Sequence, residues 1–238
     1  MILLSLNCWI HYLCGDIKAL TTRYQRLERI IKYIQEINPD IICLQEVFML
    51  VTPFNTVGLQ LVIRLQDALS ALGYSVFIPA VAYGQNGGCV FASRITDFYV
   101  STFIQFDNYS FVERLNNKGF IVSKSVLYTI INLHLNSHYP EIRKKQICQI
   151  NRYIIENQLK NIIIVGDWNV SSQQEWNSLR DLLQDPICSY TTTCGKPTHI
   201  DGNAYDHIVS EFKFTHIIMH ETTPMSDHFS LIAKLNMN

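Results

Sequence analysis

The side chains best suited to bind a cation and move protons follow apolar runs in this sequence. A buried strand is apolar along its length, so a polar residue at its end lies at the edge of the sheet, where a cleft can form. Carboxylate and amide oxygens there suit a hard cation, and histidine exchanges protons near neutral pH. The residues in such positions are Asn7, Glu46, His134, Asp167, Asn169, Asp206, Asp227 and His228.

Glu46 is the main candidate for a metal ligand, with Asn7 and Asp227 beside it. Mg²⁺ prefers oxygen ligands and usually takes one or two protein carboxylates, whereas the sequence lacks the Cys and His spacing of a zinc site. We therefore expect Mg²⁺ as the cofactor, with Mn²⁺ as its substitute. His228 would remove a proton from water, and Asp206 would hold the tautomer of His228, as in catalytic triads.

Asp167 and Asn169 are two residues apart on a tight turn, where they could orient an attacking water and a phosphoryl oxygen. The chemistry implied is metal-assisted in-line displacement at phosphorus. Each residue also has an ordinary interpretation. Asn7 alone would be a turn or cap residue, and His134 alone would be a hydrogen-bonded core histidine. The histidines that we expect at the surface are His199, His207 and His220.

The elements that position these residues are short β-like runs alternating with a few amphipathic helices. Many strands with few helices favour an α/β fold of two stacked, mostly antiparallel sheets flanked by helices, a four-layer α-β-β-α sandwich. No linker or repeat interrupts the chain, so we expect one domain over residues 1–238. The predicted helices cover 23–37, 58–72, 141–157 and 173–184. The predicted strands cover 2–7, 41–45, 74–78, 88–92, 98–106, 119–123, 126–133, 161–165, 206–210, 214–219 and 229–235.

The composition excludes a disordered chain, because 48% of the 238 residues are hydrophobic and only 16% are charged. The 19 Lys and Arg nearly balance the 20 Asp and Glu, whereas a protein that binds nucleic-acid phosphates usually has a basic excess. The seven Cys form no Cys-x-x-Cys pair, which favours a reducing compartment. With no visible signal peptide, we expect the protein to be cytoplasmic, or exported without one as a bacterial effector.

Six short motifs, ordered over residues 5–234, resemble the endonuclease/exonuclease/phosphatase superfamily. They are Ser5-Leu-Asn-Cys-Trp9, Leu44-Gln-Glu-Val47, His134-Leu135, Gly166-Asp-Trp-Asn169, Asp206-His-Ile208 and Ser226-Asp-His228. The resemblance implies that Glu46, helped by Asn7, holds Mg²⁺. It also implies that Asp167 contacts the nucleophilic water and that Asn169 positions a phosphate oxygen.

The same resemblance implies roles for the histidines and their partners. His134 would stabilise the pentacovalent transition state. Asp206 would orient His228, the general base. Asp227 would lie at the metal or beside His228.

Within the superfamily, the sequence resembles the neutral sphingomyelinase branch. The start Asn7-Cys-Trp9 and the glycine-rich run Gly87–Ser93 are similar to that branch. So is Asn117-Lys-Gly-Phe120, which has an acidic residue, Glu113, five positions before Lys118, where the branch usually carries Asp. Lys118 would pair with a phosphodiester oxygen as a point charge, although a solvated loop lysine is the ordinary alternative.

The resemblance implies a phosphodiesterase that cuts sphingomyelin to ceramide and phosphocholine, or that acts on a lysophospholipid. A Mg²⁺-dependent nuclease with the same catalytic residues is the alternative, and the balanced charge makes a nucleic-acid partner less expected. A catalytically silent interaction module is the third hypothesis. It predicts the loss of site residues, and none of the main ones is missing.

An apolar run over residues 47–63 directly follows Glu46. An exposed apolar loop beside a site marks a binding or membrane surface, so this run would allow peripheral contact with a lipid bilayer. The alternative is that the run is part of the core or of a buried helix. Phe106, Tyr109 and Phe111 could add aromatic side chains to a membrane-facing surface.

Overall fold

The computed structural model of the chain describes residues 1–11, 21–110, 113–170, 172–183, 187–191, 196–222 and 225–235. Within these residues, two six-stranded sheets pack face to face, and helices cover the outer face of each sheet. This arrangement confirms the predicted four-layer α-β-β-α sandwich. No helix in the described part of the chain combines the length and hydrophobicity that crossing a bilayer requires.

The predicted elements occur in the predicted order with somewhat different lengths, and four two-residue strands are additional. The strands are β1 (Ile2–Ile10), β2 (Ile41–Val47), β3 (Leu50–Val51), β4 (Thr56–Val57), β5 (Ser75–Phe77), β6 (Gly84–Gln85), β7 (Val90–Ser93), β8 (Val100–Gln105), β9 (Gly119–Lys124), β10 (Thr129–His134), β11 (Ile162–Asp167), β12 (Tyr190–Thr191), β13 (Asp206–Ser210), β14 (Phe214–His220) and β15 (Ser230–Leu235). The helices are α1 (Arg23–Ile37), α2 (Leu59–Ala71), α3 (Pro140–Glu156) and α4 (Gln173–Arg180), with a 3₁₀ turn at Ile187–Ser189. The first sheet has the order β14-β15-β1-β2-β7-β5, and the second has the order β12-β13-β11-β10-β9-β8.

Strand direction explains why the predicted site residues meet at one edge of the sandwich. β1 runs parallel to β2, and β10 runs parallel to β11, so the carboxyl ends of each pair lie together. β15 is antiparallel to β1, and β13 is antiparallel to β11, so the amino ends of β15 and β13 reach the same edge. The residues delivered to this edge are Asn7, Glu46, His134, Asp167, Asp206 and His228.

Three apolar clusters hold the layers together. The central cluster lies between the sheets and contains Leu3, Cys43, Ile130 and Ile163, all fully buried. The outer clusters pack α1 and α2 on the first sheet and α3 and α4 on the second. Burial of each such side chain contributes roughly 1.5–3 kcal/mol, so the sheets form a rigid base for the site.

Local hydrogen bonds set three element boundaries, and at the last two of them they override the hydrophobic pattern. Helix α1 spans the predicted residues and ends where Asn38 adopts a left-handed conformation, with φ 51°. Strand β10 begins three residues later than predicted, because residues 125–128 form a turn closed by the Ser125 N–H donating to the Tyr128 carbonyl at 2.9 Å. Helix α4 ends at Arg180 rather than at 184, because the backbone N–H groups of Leu182 and Leu183 bond three residues back.

The apolar run 47–63 divides into buried and exposed parts. Phe48 is fully buried, and Leu61 packs into the core from α2. Between them, β3 and β4 form a small three-stranded sheet with β6, which the sequence did not predict. Phe54, in the turn between β3 and β4, is 98% exposed. The two ends of the run therefore pack in the core, and its middle exposes an aromatic side chain to solvent.

Candidate active site

At the polar edge, side chains of one sheet contact side chains of the other. The Asn7 amide on β1 donates to Asp167 Oδ2 on β11 at 2.9 Å. His228, two residues before β15, has its Nδ1 2.8 Å from Asp206 Oδ2 on β13. All four side chains are buried. The structure thus brings these predicted site residues together at the seam between the sheets.

His228 has the surroundings of a general base. Asp206 binds its Nδ1, while its Nε2 lies 3.9 Å from Asp167 Oδ2. Burial lowers the pKa of His228, but the carboxylates of Asp206, Asp167 and Asp227 outweigh burial and raise the pKa to about 10. The backbone of His228 is also held, because Ser226 Oγ accepts from its N–H at 3.1 Å. Its ring is therefore fixed with Nε2 directed at the other carboxylates of the site.

Glu46 lies among groups that could hold a cation. Ligand atoms of Glu46, His134 and Asp167 lie within 4.8 Å of one another. Glu46 has φ 57°, a conformation that non-glycine residues rarely adopt and that often marks functional positions. Burial would raise the pKa of Glu46, but His11, first by its charge, and then His134 outweigh burial and lower it well below its usual range. Glu46 is therefore held as a carboxylate.

His134 and Asp167 complete this cluster with opposite pKa shifts. Burial and the charge of Lys118 lower the pKa of His134 well below its usual range, so its imidazole is neutral. Burial raises the pKa of Asp167, as do the nearby carboxylates of Asp206 and Glu46, while His228 opposes the shift. Because the carboxylates repel one another at this point, a divalent cation would relieve the repulsion. The donor set thus fits a metal ion.

The other two predicted metal ligands have different neighbours. Asn7 uses its amide on Asp167, and its Oδ1 accepts from the Trp9 N–H at 3.1 Å. Asp227 lies 3.5 Å from His199 Nε2 and forms a group with His199 and His228. Of the two predicted positions for Asp227, the structure has it beside His228. Metal binding by Asn7 and Asp227 stays a prediction.

Asn169 is held beside Asp167 in a left-handed conformation, with φ 53°. Its backbone N–H donates to Asp167 Oδ1 at 2.8 Å, and its side-chain amide donates to the Leu135 carbonyl at 3.0 Å. Gly166, directly before this turn, lets β11 approach β10 closely, because a Cβ there would lie 2.1 Å from the Leu133 carbonyl oxygen. Asp167 and Asn169 therefore form one unit, as their spacing predicted.

Lys118 is a buried residue of the site and not a solvated loop lysine. Its Nζ lies 2.7 Å from Glu113 Oε1 and donates to the Leu135 carbonyl at 2.9 Å. The Ser137 N–H and hydroxyl also donate to Glu113 Oε1. The predicted acidic partner is thus present as Glu113. A cavity of about 240 Å³ opens between Lys118 and Glu46, and His11, Phe48 and His138 are also among its lining residues.

Two histidines of the site were not predicted from the sequence. His11 Nε2 lies 2.5 Å from Glu46 Oε2, and His199 lies with its ring centroid 4.7 Å from that of His228. Burial lowers the pKa of His11, but the ion pair with Glu46 outweighs burial and raises it. His11 follows a strand end, like the recognised residues, and this was the signal that could have revealed it. His199 lies in a loop that no local pattern marks.

The surface prediction is right for His220, partly right for His199 and wrong for His207. His220 is exposed, and His199 is half-buried beside Asp227. His207 is fully buried because β13 crosses the aromatic pair of Trp168 and Trp176, and its ring stacks on Trp176 at 3.8 Å. Burial lowers the pKa of His207 to about 3. His207 therefore packs in the core beneath the site as a neutral ring.

Solved structures with the same fold cover nearly the whole chain. Sphingomyelinase C from Streptomyces griseocarneus is 14% identical, with a TM-score of 0.73, and 99% of each chain is covered. A beta toxin mutant from Staphylococcus aureus with bound magnesium ions is 16% identical, with a TM-score of 0.70 and 98% of each chain covered. D. rerio TDP2, complexed with a single-strand DNA product, is 16% identical, with a TM-score of 0.68 and 99% and 98% coverage.

Sequence comparison identifies the family directly. No curated protein sequence matches this chain significantly. The profile of the Endonuclease/Exonuclease/phosphatase family, however, matches residues 4–228, which include every strand-end residue described above. The chain therefore belongs to the endonuclease/exonuclease/phosphatase family.

Proposed function

We propose that the protein is a Mg²⁺-dependent phosphodiesterase that cuts sphingomyelin to ceramide and phosphocholine. The observation that carries the proposal is the buried His228–Asp206 pair, whose free Nε2 faces Asp167 beside the Glu46 cluster. A base and a cation site so close together suit hydrolysis of a phosphate ester. The family is one of phosphoester hydrolases, and the fold is shared with a bacterial sphingomyelinase C.

Glu46 and Asp167 would hold the metal ion, and the neutral ring of His134 lies in the same cluster. When bound, Mg²⁺ would polarise the phosphate oxygens and stabilise the negative charge that develops on them in the transition state. The fold is shared with a beta toxin that carries bound magnesium ions, which supports this choice of metal. Neutralising part of the local carboxylate charge would also lower the pKa of His228 toward the neutral form that a base needs.

His228 Nε2 accepts the proton of the attacking water. The water oxygen forms a bond to phosphorus while the bond from phosphorus to the ceramide oxygen breaks, and the ceramide oxygen leaves with a proton from solvent. Asp206 stabilises the imidazolium that forms and keeps its Nδ1 protonated. Asp167 and Asn169 orient the water and a phosphate oxygen, and His134 stabilises the negative charge that develops on the phosphoryl oxygens in the transition state.

Lys118 supplies the point charge for the phosphodiester. It borders the 240 Å³ cavity together with Glu46, so a phosphate there would lie between the metal ligands and the ammonium group. Glu113 and the Leu135 carbonyl hold Lys118 in place. Because these contacts exist before the substrate binds, Lys118 needs no reorganisation energy when the reaction occurs.

An apolar rim beside the site would contact the lipid surface. Phe54 and Val57 are exposed on the small sheet of β3, β4 and β6, and Tyr83, just before β6, is exposed as well. Leu115, which is also exposed, accepts through its carbonyl from the Gln85 N–H at 2.7 Å. These side chains belong to segments that lead directly into Glu46 and Lys118, so binding at a membrane would bring lipid head groups to the cavity.

Hydrolysis of a nucleic-acid phosphodiester is the second candidate function. It would use the same catalytic residues, and it is supported by the fold shared with D. rerio TDP2 in complex with single-strand DNA. The apolar rim and the net charge of −1 favour the lipid over this alternative.

The test compares sphingomyelin vesicles, lysophospholipid micelles and single-stranded DNA in parallel. Each substrate is incubated with the protein in Mg²⁺, in EDTA, and with His228→Ala. Phosphocholine release that needs both Mg²⁺ and His228 is the expected result. The matched control is His220→Ala, which alters an exposed histidine on β14 and should retain activity. Cleavage of DNA without hydrolysis of either lipid would overturn the assignment of a lipid substrate. Inactivity on all three substrates would overturn the proposal that the protein is a phosphodiesterase.

A further inference from the structure

The carboxylate of Glu46 lies between two imidazoles. His134 Nε2 is 3.7 Å from Oε1, and His11 Nε2 is 2.5 Å from Oε2. The His134 contact belongs to the cluster with Asp167 described above, whereas the His11 contact lies outside it. His11 is not needed for the base or for the Asp167–Asn169 turn, so its position at Glu46 has no explanation in the proposed mechanism.

Packing against neighbouring side chains orients the His11 ring toward Glu46. It packs on the ring of Phe48, with 5.2 Å between the centroids, and Phe48 is itself fully buried. The His11 side chain is only 20% exposed, and it lines the same cavity as Lys118 and His134. An ion pair on a solvated surface would not have these features, because both partners would remain mobile.

A nitrogen donor at this point changes which metal the site prefers. Mg²⁺ is bound almost entirely by oxygen, and it retains several waters. Imidazole nitrogen is a better ligand for first-row transition metals than for Mg²⁺, and Mn²⁺ is the member of that series that shares the preference of Mg²⁺ for carboxylate ligands. A site built from Glu46, Asp167 and two imidazoles is therefore closer to a transition-metal site than to a pure magnesium site.

We propose that His11 is a nitrogen ligand of the metal held by Glu46, and that the protein consequently binds Mn²⁺ more tightly than Mg²⁺. This inference rests on the metal dependence of the proposed function and specifies which residue sets the metal preference. The opposite role would be competition, in which His11 occupies the Glu46 carboxylate and must be displaced by the metal. The two roles predict opposite effects of removing the imidazole.

The first experiment is calorimetric titration of chelator-treated protein with Mn²⁺ or Mg²⁺, without substrate. We expect wild type to bind Mn²⁺ at least about tenfold more tightly than Mg²⁺. His11→Ala should weaken Mn²⁺ binding about 10–100-fold and change Mg²⁺ binding less than about threefold, so that the preference disappears. His138→Ala is the matched control, because His138 lines the same cavity but is not paired with Glu46. Unchanged or tighter Mn²⁺ binding by His11→Ala would overturn the inference.

The second experiment detects the nitrogen ligand directly by pulsed electron paramagnetic resonance of bound Mn²⁺. Because His134 also lies near the metal ligands, the measurement uses His134→Ala as its background. We expect ¹⁴N coupling in His134→Ala and its loss in His134→Ala/His11→Ala. His11→Gln replaces the alanine variant if circular dichroism shows that the latter is unfolded. Coupling that survives in the double variant contradicts the role of His11.

These measurements separate the inference from the proposed function. Failure of every variant to bind either metal would contradict the metal-dependent function itself. Metal binding without ¹⁴N coupling, and without any effect of His11→Ala, would leave that function intact and remove only the role of His11.

Discussion

The side-chain amide of Asn7 donates to Asp167 across the seam between the two sheets, over 2.9 Å and 160 residues of sequence. Asn7→Ala should lower kcat/KM about 10–100-fold, because Asp167 loses one of the two groups that orient it, and should lower the free energy of unfolding by about 1–3 kcal/mol. Kinetics and urea unfolding measure the two effects. Asn132→Ala is the control, because it removes another buried bond between the sheets, to Gln45 at 2.7 Å. A similar loss of kcat/KM in both variants would show that the effect of Asn7 is only structural.

The His228–Asp206 pair should act as one unit. His228→Asn and Asp206→Asn should each lower kcat by about 10²–10⁴-fold, because each removes the oriented base. The double variant should be little worse than His228→Asn, since Asp206 works through His228. Steady-state kinetics of the three variants test this. Additive losses in the double variant would show that Asp206 has a separate function.

Removing only one partner of the buried Glu113–Lys118 pair should strongly lower the free energy of unfolding. Glu113→Gln leaves an unpaired ammonium in the interior and should lower the free energy of unfolding by about 3–5 kcal/mol. Adding Lys118→Met should recover part of this loss, because no buried charge then remains unpaired. The exposed pair of Glu28 and Arg64, whose side chains are both 53% exposed, provides the control, and its removal should change stability little. No recovery in the double variant would contradict the coupling.

His207 should make stability depend on pH. Burial lowers its pKa to about 3, whereas an unfolded histidine titrates near 6.5, so the unfolded state binds more protons between these values. The contribution of His207 is therefore complete above about pH 6.5 and is lost as the pH falls. Between pH 7.5 and 5.5, wild type should lose about 1.4 kcal/mol more stability than His207→Phe, which keeps the ring stacked on Trp176. Urea unfolding measures the free energy of unfolding of both proteins at the two pH values. An equal change in that free energy for wild type and His207→Phe would refute the prediction.

Phe54 should matter only at a lipid surface. Phe54→Ser should lower activity on sphingomyelin vesicles about tenfold, because a fully exposed aromatic ring no longer enters the bilayer. Hydrolysis of a soluble short-chain substrate should be unchanged. Val126→Ser is the matched control, because Val126 is exposed on the β9–β10 turn, at the opposite end of β10 from His134. Equal losses on both substrates would assign Phe54 to the fold and not to membrane contact.

The sequence alone predicted the layers and most of the residues that the structure brings together at one edge. Short apolar runs rich in β-branched residues, such as Ile162–Val165, favour buried strands, so the polar residues that follow them were recognisable as an edge. The spacing of Leu27, Ile30 and Ile34 likewise defined α1, since these residues lie on one helical face. These features depend on residues close together in the chain, which is why a single sequence reveals them.

The tertiary structure decided which side chains meet. His11 contacts Glu46 and His199 contacts His228 only because β1, β2 and the 198–205 loop converge at one edge. His207 became buried because β13 passes over Trp176, and the run 47–63 was divided between core and solvent by its pairing with β6. Such outcomes depend on contacts between residues that are distant in sequence, and local hydrophobic periodicity contains no information about them.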